Sequence, residues 1–583
     1  MTRQHPHRLA WRGARPLVVL LTGVLLAAAC SGGGDDDGGS GGEGAAALGD
    51  NMIDGAQAAN SDPVTGGSIT VGLESETNSY LPSIFAGSQA GINVAYTIFD
   101  PLVTRDADNQ VSPYLAQSLE PNDDFTVWTL TLRPDVKFHD GTTLDAEAMK
   151  TIFDDFLTVD GANTQGALRY VEKMDVVDDL TVTYTLSRPN AAFPDILAGP
   201  SGWPFSPTAA AELGDAFGDQ PVGTGPFEFV SWQRDGAFVV ERNDDYWQEG
   251  LPYLDQITFR PIPDEETRAT SLSSGDVDAV QSVRLSPFLG RVRDIPNIKI
   301  ALGLSSGGGN IMFNTTEPPM DDVRVRQALA YAIDQQAVVD VVAGGASDVT
   351  ELRSGFFASN SDYFSQAVAD AWPKRDVEKA QQLYDDYAND PDRSDGKPEG
   401  SAVAFTYTAT NVPSLVEQAT AYQGFWEELG FDVSVDPIEQ SVLIQQALTG
   451  DYQAMNFRLG GEQDPLTVLE GAFGDPEVYI TNFTNYTNED VEQTLGILRN
   501  TDDLGERQAA VEDLGLKLTE DMPVYWTGSD LAFIAYSDQL DGVASWVLPS
   551  VPQSNDEMPA PTGTLGDGAT PAVTFWSQVW RKE

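Results

Sequence analysis

The sequence predicts an α/β protein of several domains, in which one domain interrupts another. Three observations support this fold class. Residues 221–247 have the pattern of a rigid turn followed by a β-hairpin, as expected where a chain returns to a domain that it had left. Mixed strand and helix patterns lie on both sides of that hairpin. The length of 583 residues is sufficient for about three or four domains.

The hairpin is predicted from its turn residues and from the apolar residues between them. Residues 221–226 are rich in proline, which fixes φ, and in glycine, which allows positive φ. The apolar residues 227–230 begin one strand, residues 234–236 favour a turn, and residues 237–240 form the return strand. The aromatic pair at 246–247 is expected to fold back onto the sheet. A simple hairpin within one core fits the same local pattern.

The net charge limits the classes of partner. The chain has 33 basic and 89 acidic residues, which gives a formal net charge of -56. Such a negative field repels nucleic acids and anionic lipids, so we expect no nucleic-acid partner. Acidic residues spread over a surface mainly keep a protein soluble, although they also attract cationic solutes.

Residues 1–30 are predicted to be a lipoprotein signal peptide. Four arginines accompany a predominantly apolar run from Leu17 to Ala29, which is too short to span a bilayer. The run ends in LLAAAC, and Cys30 is the one cysteine of the sequence. This ending resembles the lipobox of bacterial lipoproteins, in which the cysteine is lipidated, although Ala27 stands where leucine is commoner. The alternative is an ordinary cysteine near an ordinary cleavage site.

Residues 31–65 are predicted to be a flexible linker. Glycine and acidic residues make up most of residues 31–44, so this segment buries no apolar surface. Residues 39–44 match G-x-G-x-x-G, but no strand pattern precedes them and no helix pattern follows. A dinucleotide site is therefore not predicted, since that motif requires a strand and a helix around it.

The segment 101–205 has the pattern of an α+β unit. Residues 128–132 and 180–186 alternate apolar and polar side chains, as in half-buried strands. Between them, residues 149–157 repeat apolar side chains at helical spacing behind Asp145, a candidate N-cap. We expect this unit to have a core of its own.

A run of small residues separates two apolar strand patterns near the middle of the chain. It covers residues 305–309, and five flexible residues in this position suit a hinge between lobes. Ser305, Gly307 and Gly309 are the candidate hinge residues. A plain loop fits the run equally well.

The rest of the chain repeats the α/β pattern. Residues 321–344 predict one long helix, which an aspartate at 321 or 322 caps and a glycine ends. Strand, helix, strand and strand patterns follow at 402–407, 414–429, 431–437 and 453–459, and a final apolar strand is expected at 523–536.

Few residues with catalytic chemistry lie beyond the signal peptide. His139 is the one histidine there, so cysteine nucleophiles, histidine-rich zinc sites and Ser-His relays all lack parts. Residues 303–307 match G-x-S-x-G, but a strand pattern follows where a hydrolase needs a helix. We expect His139 to be a hydrogen-bonded structural residue. We therefore predict no enzyme activity, no metal and no cofactor.

Eight segments together carry a family resemblance. In chain order they are DPLVTRDADNQVSPYLAQSLE, LTLRPDVKFHDGTTLDAEAMK, PVGTGPFEFVSWQ, RNDDYW, YLDQITFRPIPDEETRATSLSSGDVDA, FNTTEPPMDDVRVRQALAYAID, GFDVSVDPI and GDYQAMNFRLGGEQDP. They resemble the solute-binding proteins of family 5, the extracytoplasmic receptors of bacterial peptide/nickel-type ABC importers. The resemblance extends from about residue 66 to residue 536.

The resemblance implies a periplasmic-binding-protein-like fold of two lobes and three domains. Domain I would comprise residues 66–100, 206–304 and 528–583, with residues 101–205 inserted as domain II. Domain III, the second lobe, would comprise residues 310–527. A ligand between the lobes would select the closed state through its differential affinity for that state.

The resemblance also implies where a ligand binds. In peptide-binding members, main-chain groups of two segments hold the ligand backbone like an added strand. The corresponding residues here are Gly87, Ser88, Gln89 and Ala90 in the first lobe, and Phe457, Arg458, Leu459 and Gly460 in the third domain. The aspartate that often meets the peptide amino group is replaced by Gly461, with Glu462 next to it. Either Glu462 substitutes for it or no free amine is bound. Arg458 replaces an aromatic residue and is either a partner for a ligand carboxylate or a surface arginine.

We expect a monomeric receptor, lipid-anchored at the extracytoplasmic face of the membrane, that delivers a small organic solute to ABC permease subunits. An oligopeptide is the favoured solute, and an oligosaccharide or another non-peptide solute is the alternative. A secreted hydrolase is the alternative of another class, and the missing histidine and cysteine chemistry disfavours it. A role in sensing rather than transport fits the same sequence.

Overall fold

The computed structural model describes residues 52–54, 59, 61–85, 88–105, 110–159, 164–282, 287–459, 464–545, 548–549 and 574–582. The predicted signal peptide, with Cys30, and residues 31–51 of the predicted linker lie outside the described residues. The described chain is mixed α/β, as predicted.

Short strands dominate the chain up to residue 205. These strands are β1 Met52–Asp54, β2 Ser68–Leu73, β3 Val103–Arg105, β4 Val111–Pro113, β5 Ala116–Pro121, β6 Val127–Leu132, β7 Val171–Asp178 and β8 Thr181–Leu186. The helices of this part are α1 Gln89–Ile98, α2 Ala146–Thr158, α3 Thr164–Ala167 and α4 Phe193–Leu197.

Longer helices follow, together with two long strands. The strands are β9 Phe227–Trp232, β10 Phe238–Arg242, β11 Gln256–Pro261, β12 Ala279–Ser282, β13 Ile298–Phe313, β14 Ala404–Thr410, β15 Asp432–Ile438, β16 Ala454–Leu459, β17 Val524–Ser537, β18 Leu540–Asp541 and β19 Trp580–Arg581. The helices are α5 Pro207–Leu213, α6 Glu265–Ser274, α7 Phe288–Val292, α8 Val323–Ala332, α9 Gln335–Ala343, α10 Gln366–Ala371, α11 Val377–Ala388, α12 Pro413–Glu427, α13 Gln440–Thr449, α14 Pro465–Phe473, α15 Glu489–Asn500 and α16 Leu504–Asp521.

One 11-stranded sheet runs through the molecule. Its strand order is β15-β14-β16-β13-β17-β12-β2-β11-β10-β9, and β1 pairs with β13 off this path. The strands β14, β15 and β16 come from residues after 400, whereas β2 and β9 to β12 come from residues before 300. The long strands β13 and β17 therefore lie between two groups of strands that are separate in sequence.

Segment 101–205, the predicted insert, has its own sheet but not its own core. Four of its strands form an antiparallel sheet in the order β5-β6-β8-β7, and β3 and β4 pair separately. Asp145 caps α2 by accepting a hydrogen bond from the amide of Ala148, as predicted. Leu130 of this sheet and Ile69 of the central sheet, however, belong to one continuous cluster of buried apolar residues. The expectation of a separate core is therefore wrong, because the insert packs directly onto the first lobe.

The second lobe is built around a different apolar cluster. That cluster includes buried side chains from Ile311 to Trp526, among them Trp426, which is fully buried. The predicted strands and helix between residues 402 and 459 are confirmed as β14, α12, β15 and β16. The final predicted strand is confirmed as β17.

The hairpin that the sequence predicted is confirmed. The strands β9 and β10 pair in antiparallel register, and Asp235 in the turn between them has a φ of 56°. Tyr246 and Trp247 fold back toward the end of α1, where both donate hydrogen bonds to the carboxylate of Asp100. The hairpin therefore fixes the C-terminal end of α1.

The single long helix predicted for residues 321–344 is wrong, because two helices form there. Asp322 caps α8 by accepting from the amide of Arg324, and Ile333 then adopts an extended backbone with ψ of 130°. Asp334 caps α9 by accepting from the amide of Ala337. An aspartate inside a helical repeat fits the polar face of one continuous helix. The carboxylate of Asp334 instead caps the N-terminus of a second helix.

Two further expectations are corrected by strand pairing. Residues 305–309 do not form a loop, since they lie within the continuous strand β13. Residues 52–54, placed by sequence in the flexible linker, form β1 and pair in parallel with residues 300–302 of β13. The backbone of residues 52–54 therefore has partners that composition alone does not indicate.

Candidate ligand cleft between the two lobes

A narrow crossing of β13 and β17 joins the two groups of strands. The strand β13 pairs with β16 only from Gly308 onward, and β17 pairs with β12 only from Phe533 onward. Within the described chain, residues 303 and 304 of β13 pair with β17 alone, and the register of the two strands then shifts between Leu304 and Gly308. A two-stranded ribbon with a bulge is a local weak point in the sheet.

The candidate hinge residues lie in or beside this crossing. Ser305 and Gly307 are within the shifted part of β13, and Gly309 pairs with Arg458 of β16 where the crossing ends. A Cβ on Gly308 would approach the carbonyl oxygen of Gly528 to 2.5 Å, whereas a Cβ on Gly309 would meet nothing within 4 Å. Gly308 is thus required for close packing of the two strands.

Arg458 lies beside the crossing and has a partner inside the protein. Its Nε atom donates to the carboxylate of Asp530 on β17, two strands away. The side chain of Arg458 is 34% exposed and that of Asp530 is 13% exposed. Arg458 is therefore neither a fully solvated surface arginine nor a deeply buried one.

The first-lobe residues that the family resemblance indicated lie at the N-terminus of α1. Ser88 caps this helix, since its Oγ accepts from the amide of Gly91 at 3.1 Å. Gln89 is the first residue of the helix, and Ala90 is 1% exposed in the first-lobe core. Gly87 lies outside the described residues. Of this set, Ala90 has a structural role in the core.

Three of the residues that the resemblance indicated for the second lobe, Phe457, Arg458 and Leu459, lie along β16. Phe457 pairs with Asn310 of β13, and its ring packs on that of Phe483 with 5.1 Å between centroids. Leu459 pairs with Gly308. The structure therefore brings Phe457, Arg458 and Leu459 to the edge of the crossing. Gly460, Gly461 and Glu462 lie outside the described residues.

A second contact joins the inserted segment to the second lobe. Arg188 donates to the Glu470 carboxylate at 2.6 Å, and Asp195 accepts from the amide of Asp464 at 2.9 Å. Ala192 of the insert is also buried among the apolar residues of the second lobe. Sequence analysis missed these residues, because the partners are more than 260 positions apart and no local pattern marks them.

A buried carboxylate fixes the base of α1. Asp100 accepts from the Tyr246 hydroxyl at 2.9 Å and from Trp247 Nε1 at 2.8 Å, and the Thr224 hydroxyl donates to it at 3.3 Å. Burial raises the pKa of Asp100 to about 7, and these three donors partly offset that increase. Because the pKa of Asp100 is close to neutral pH, the attachment of α1 depends on pH.

His139 has the structural role that the sequence predicted. The amide of Gly223 donates to its Nδ1 at 3.3 Å, and its Nε2 lies 2.9 Å from the carbonyl oxygen of Gly225. The proton is therefore on Nε2. Burial lowers the pKa of His139 to about 4, so the ring is neutral near pH 7. It ties the 221–226 turn to the inserted segment.

The described residues contain neither a metal-binding cluster nor a membrane-spanning helix. Across the described ranges, no group of three or more His, Cys, Asp or Glu side chains is arranged to hold a metal ion. No described helix combines the length and the apolar character needed to cross a bilayer.

Comparison with known proteins identifies the family. Residues 110–479 match the model of the bacterial extracellular solute-binding proteins, family 5 middle. The chain belongs to this family. Family 5 proteins are extracytoplasmic substrate-binding proteins of ABC importers, and similar proteins are described as binding proteins rather than enzymes.

Relatives of the family 5 chain bind different solutes. The glutathione-binding protein GsiB of Pectobacterium atrosepticum is 30% identical over 473 residues, which are 78% of this chain and 87% of that protein. DppA of Helicobacter pylori, solved with the peptide STSA, is 20% identical with a TM-score of 0.73, covering 89% of this chain and 99% of that one. AgaA of A. tumefaciens, solved with agropinic acid, is 25% identical with a TM-score of 0.71, over 89% and 99% of the two chains. These similarities confirm the predicted two-lobed fold.

Proposed function

We propose that this family 5 protein is a lipid-anchored receptor that captures an oligopeptide between its two lobes and delivers it to an ABC permease. The proposal rests chiefly on one observation about this family 5 chain. Its two lobes touch at two separate places, which are the crossing of β13 and β17 and the contacts of Arg188 and Asp195. A solute enclosed between two such lobes contacts both of them. It therefore stabilises the closed form by its differential affinity.

The proposed domains follow the grouping of the strands. Domain I comprises residues 66–100, 206–304 and 528–583, and domain II is the insert 101–205. Domain III comprises residues 310–527. The separate four-stranded sheet of the insert and the two strand groups on either side of β13 and β17 support this division. Ser305, Gly307 and Gly309 are the proposed hinge, because bending of the narrow crossing moves one strand group relative to the other.

A peptide is the favoured solute. The relative of 30% identity is a glutathione-binding protein, and glutathione is a tripeptide. The proposed contacts are main-chain groups of residues 87–90 and 457–460, with Arg458, Gly461 and Glu462 nearby, which suits a ligand held by its backbone. The specific alternative is a non-peptide solute, since AgaA at 25% identity was solved with agropinic acid.

A thermal-shift panel tests the proposed function. It contains glutathione, peptides of two to five residues, oligosaccharides and organic acids. A solute at 100 times its dissociation constant should stabilise the protein by about 2.7 kcal/mol. Stabilisation by peptides, with the solute recovered at unchanged mass, supports the proposal. Stabilisation by oligosaccharides or organic acids alone favours the non-peptide alternative, and recovery of a cleaved solute favours a hydrolase.

A further inference from the structure

Five side chains and one backbone amide join the insert to the second lobe, far in sequence from the crossing of β13 and β17. We call this set the rim latch. It consists of Tyr170, Arg188 and Asp195 on the insert and of Asp464, Glu470 and Tyr479 on the second lobe. The latch has two contacts, and in each of them the charged groups also have partners on their own lobe.

The first contact is centred on Arg188. Its guanidinium donates to the Glu470 carboxylate at 2.6 Å and to the Tyr479 hydroxyl at 3.0 Å. The hydroxyl groups of Tyr170 and Tyr479 lie 3.1 Å apart, which adds a third bond between the lobes. Arg169 lies over the Tyr479 ring with 4.3 Å to its centroid. A charge-assisted bond and two aromatic side chains thus meet at one place.

The second contact involves main-chain groups. The amide of Asp464 donates to the Asp195 carboxylate at 2.9 Å. Close by in sequence, the amide of Ala191 donates to the carbonyl oxygen of Arg499 at 3.0 Å. These two amides therefore have hydrogen-bond partners on the opposite lobe.

Each charged group of the latch also has a partner on its own lobe. Glu470 accepts from Arg499 at 2.8 Å, in addition to its bond from Arg188. The Arg188 guanidinium lies 3.5 Å from the centroid of the Tyr170 ring. Asp195 forms an ion pair with Arg105, and the carboxylate of Asp464 forms one with Arg507.

These own-lobe partners make separation of the lobes inexpensive. An ion pair becomes costly to break when one buried charge is left without a partner. The side chains of Glu470 and Asp195 are only 9% and 4% exposed, so they would otherwise carry that cost. Here Glu470 keeps Arg499, Asp195 keeps Arg105 and Asp464 keeps Arg507 when the lobes part. Each of these three carboxylates already has an ion pair within its own lobe, and the bonds between the lobes are additional to those pairs.

We infer that the rim latch is a reversible closing contact, which stabilises the closed arrangement without ligand and slows release of a bound solute. The inference rests on the proposed closing of the lobes but not on the identity of the solute. Arg188 and Tyr479 are then positioning residues, because they act on solute affinity through closure.

Hydrogen exchange of the ligand-free, full-length protein tests the latch. The amides of Ala191 and Asp464 donate across the lobes, so separation of the lobes exposes them to exchange. Arg188→Ala and Tyr479→Phe are each expected to raise the exchange rates of the Ala191 and Asp464 amides about fivefold. This factor is the upper limit of the change in an equilibrium constant expected from losing one partly exposed ion pair. Tyr479→Phe removes a single oxygen atom, so it decides the outcome if melting shows that Arg188→Ala is not folded.

Arg375→Ala is the matched control. Arg375 pairs with Glu428 at 3.2 Å and lies 4.9 Å from the centroid of the Phe425 ring, entirely within the second lobe. This variant loses the same charge and a similar ring contact without affecting the latch. Faster exchange in the latch variants but not in the control supports the inference. Unchanged exchange in Tyr479→Phe, or an equal increase in the control, would overturn it.

Failure of the latch and failure of the proposed function are distinguishable. If no solute stabilises the protein but the latch variants exchange faster, the solute proposal is wrong and the latch stands. If a peptide binds and exchange is unchanged in the latch variants, the latch is wrong and the proposed function stands.

Discussion

Arg458 and Asp530 form an ion pair across β13, the strand that passes from one lobe to the other. Arg458 pairs with Gly309 of β13, and the space where a Cβ of Gly309 would stand is open. The pair thus lies beside the proposed hinge and beside the proposed peptide-binding strand.

Replacement of Arg458 by alanine is expected to lower the affinity for the solute strongly and the free energy of unfolding only slightly. Because the side chain is 34% exposed, loss of the pair should lower the free energy of unfolding by less than about 1 kcal/mol. If Arg458 bonds a ligand carboxylate, affinity for the best peptide of the panel should fall about tenfold or more. Calorimetric titration and urea unfolding measure the two effects, with Arg375→Ala as control. Equal affinity of Arg458→Ala and the unaltered chain would exclude the contact.

Asp100 is expected to make stability fall as the pH rises from about 4 to 7. Burial raises its pKa from 3.8 to about 7, so in this range the folded chain keeps a proton that the unfolded chain loses. The contribution is complete below about pH 4 and is lost by pH 7, with a slope of up to about 1.4 kcal/mol per pH unit. Urea unfolding of the unaltered chain and of Asp100→Asn over this range isolates it. A stability difference between them that is constant with pH would contradict the raised pKa.

The sequence predicted correctly the helix caps and turns that depend on residues close together in the chain. Asp145 precedes a helical repeat and caps α2, and the glycine and proline residues at 221–226 precede the hairpin of β9 and β10. The prediction of one helix over 321–344 failed at Asp334, since an aspartate within a helical repeat fits a polar face and an N-cap equally well. The family resemblance, and not periodicity, indicated residues 87–90 and 457–460.

Long-range pairing accounts for the features that the sequence did not predict. The small residues 305–309 suggest a loop or a hinge, but they lie within the long strand β13, which pairs with β17 up to Leu304 and again from Gly308. Arg188 and Glu470 are 282 positions apart, and an arginine in a chain with 89 acidic residues gives no indication of which one it will meet. The latch therefore required coordinates, whereas the sequence indicated the hinge candidates and only their position within β13 required coordinates.

Gly223→Ala is expected to destabilise the protein by about 2 kcal/mol or more. A Cβ at Gly223 would lie 2.1 Å from the carbonyl oxygen of Ile98, so the 221–226 turn would have to move away from α1. Gly496→Ala is the control, because Gly496 lies within α15 and a Cβ there would meet nothing within 4 Å. Alanine at that helix position should raise stability by about 0.5 to 1 kcal/mol. Equal denaturation midpoints for the two variants would show that the close approach of the turn is unimportant.

Cys30→Ala is expected to release the protein from membranes. If Cys30 is lipidated as proposed, its replacement removes the anchor and leaves a chain without an acyl group. Fractionation of cells and mass measurement of the N-terminal peptide detect the change, and Ser31→Ala, which keeps the cysteine, is the control. An acylated, membrane-bound Cys30→Ala variant would show that the lipoprotein assignment is wrong.

Small-angle X-ray scattering with and without a solute from the thermal-shift panel tests most directly whether the two lobes close on a bound molecule. The radius of gyration should fall when the solute is saturating. The decrease should be larger in Arg188→Ala, because its ligand-free form lacks part of the rim latch and is more open. An unchanged radius of gyration in both proteins at saturating solute would contradict closure of the lobes around a ligand.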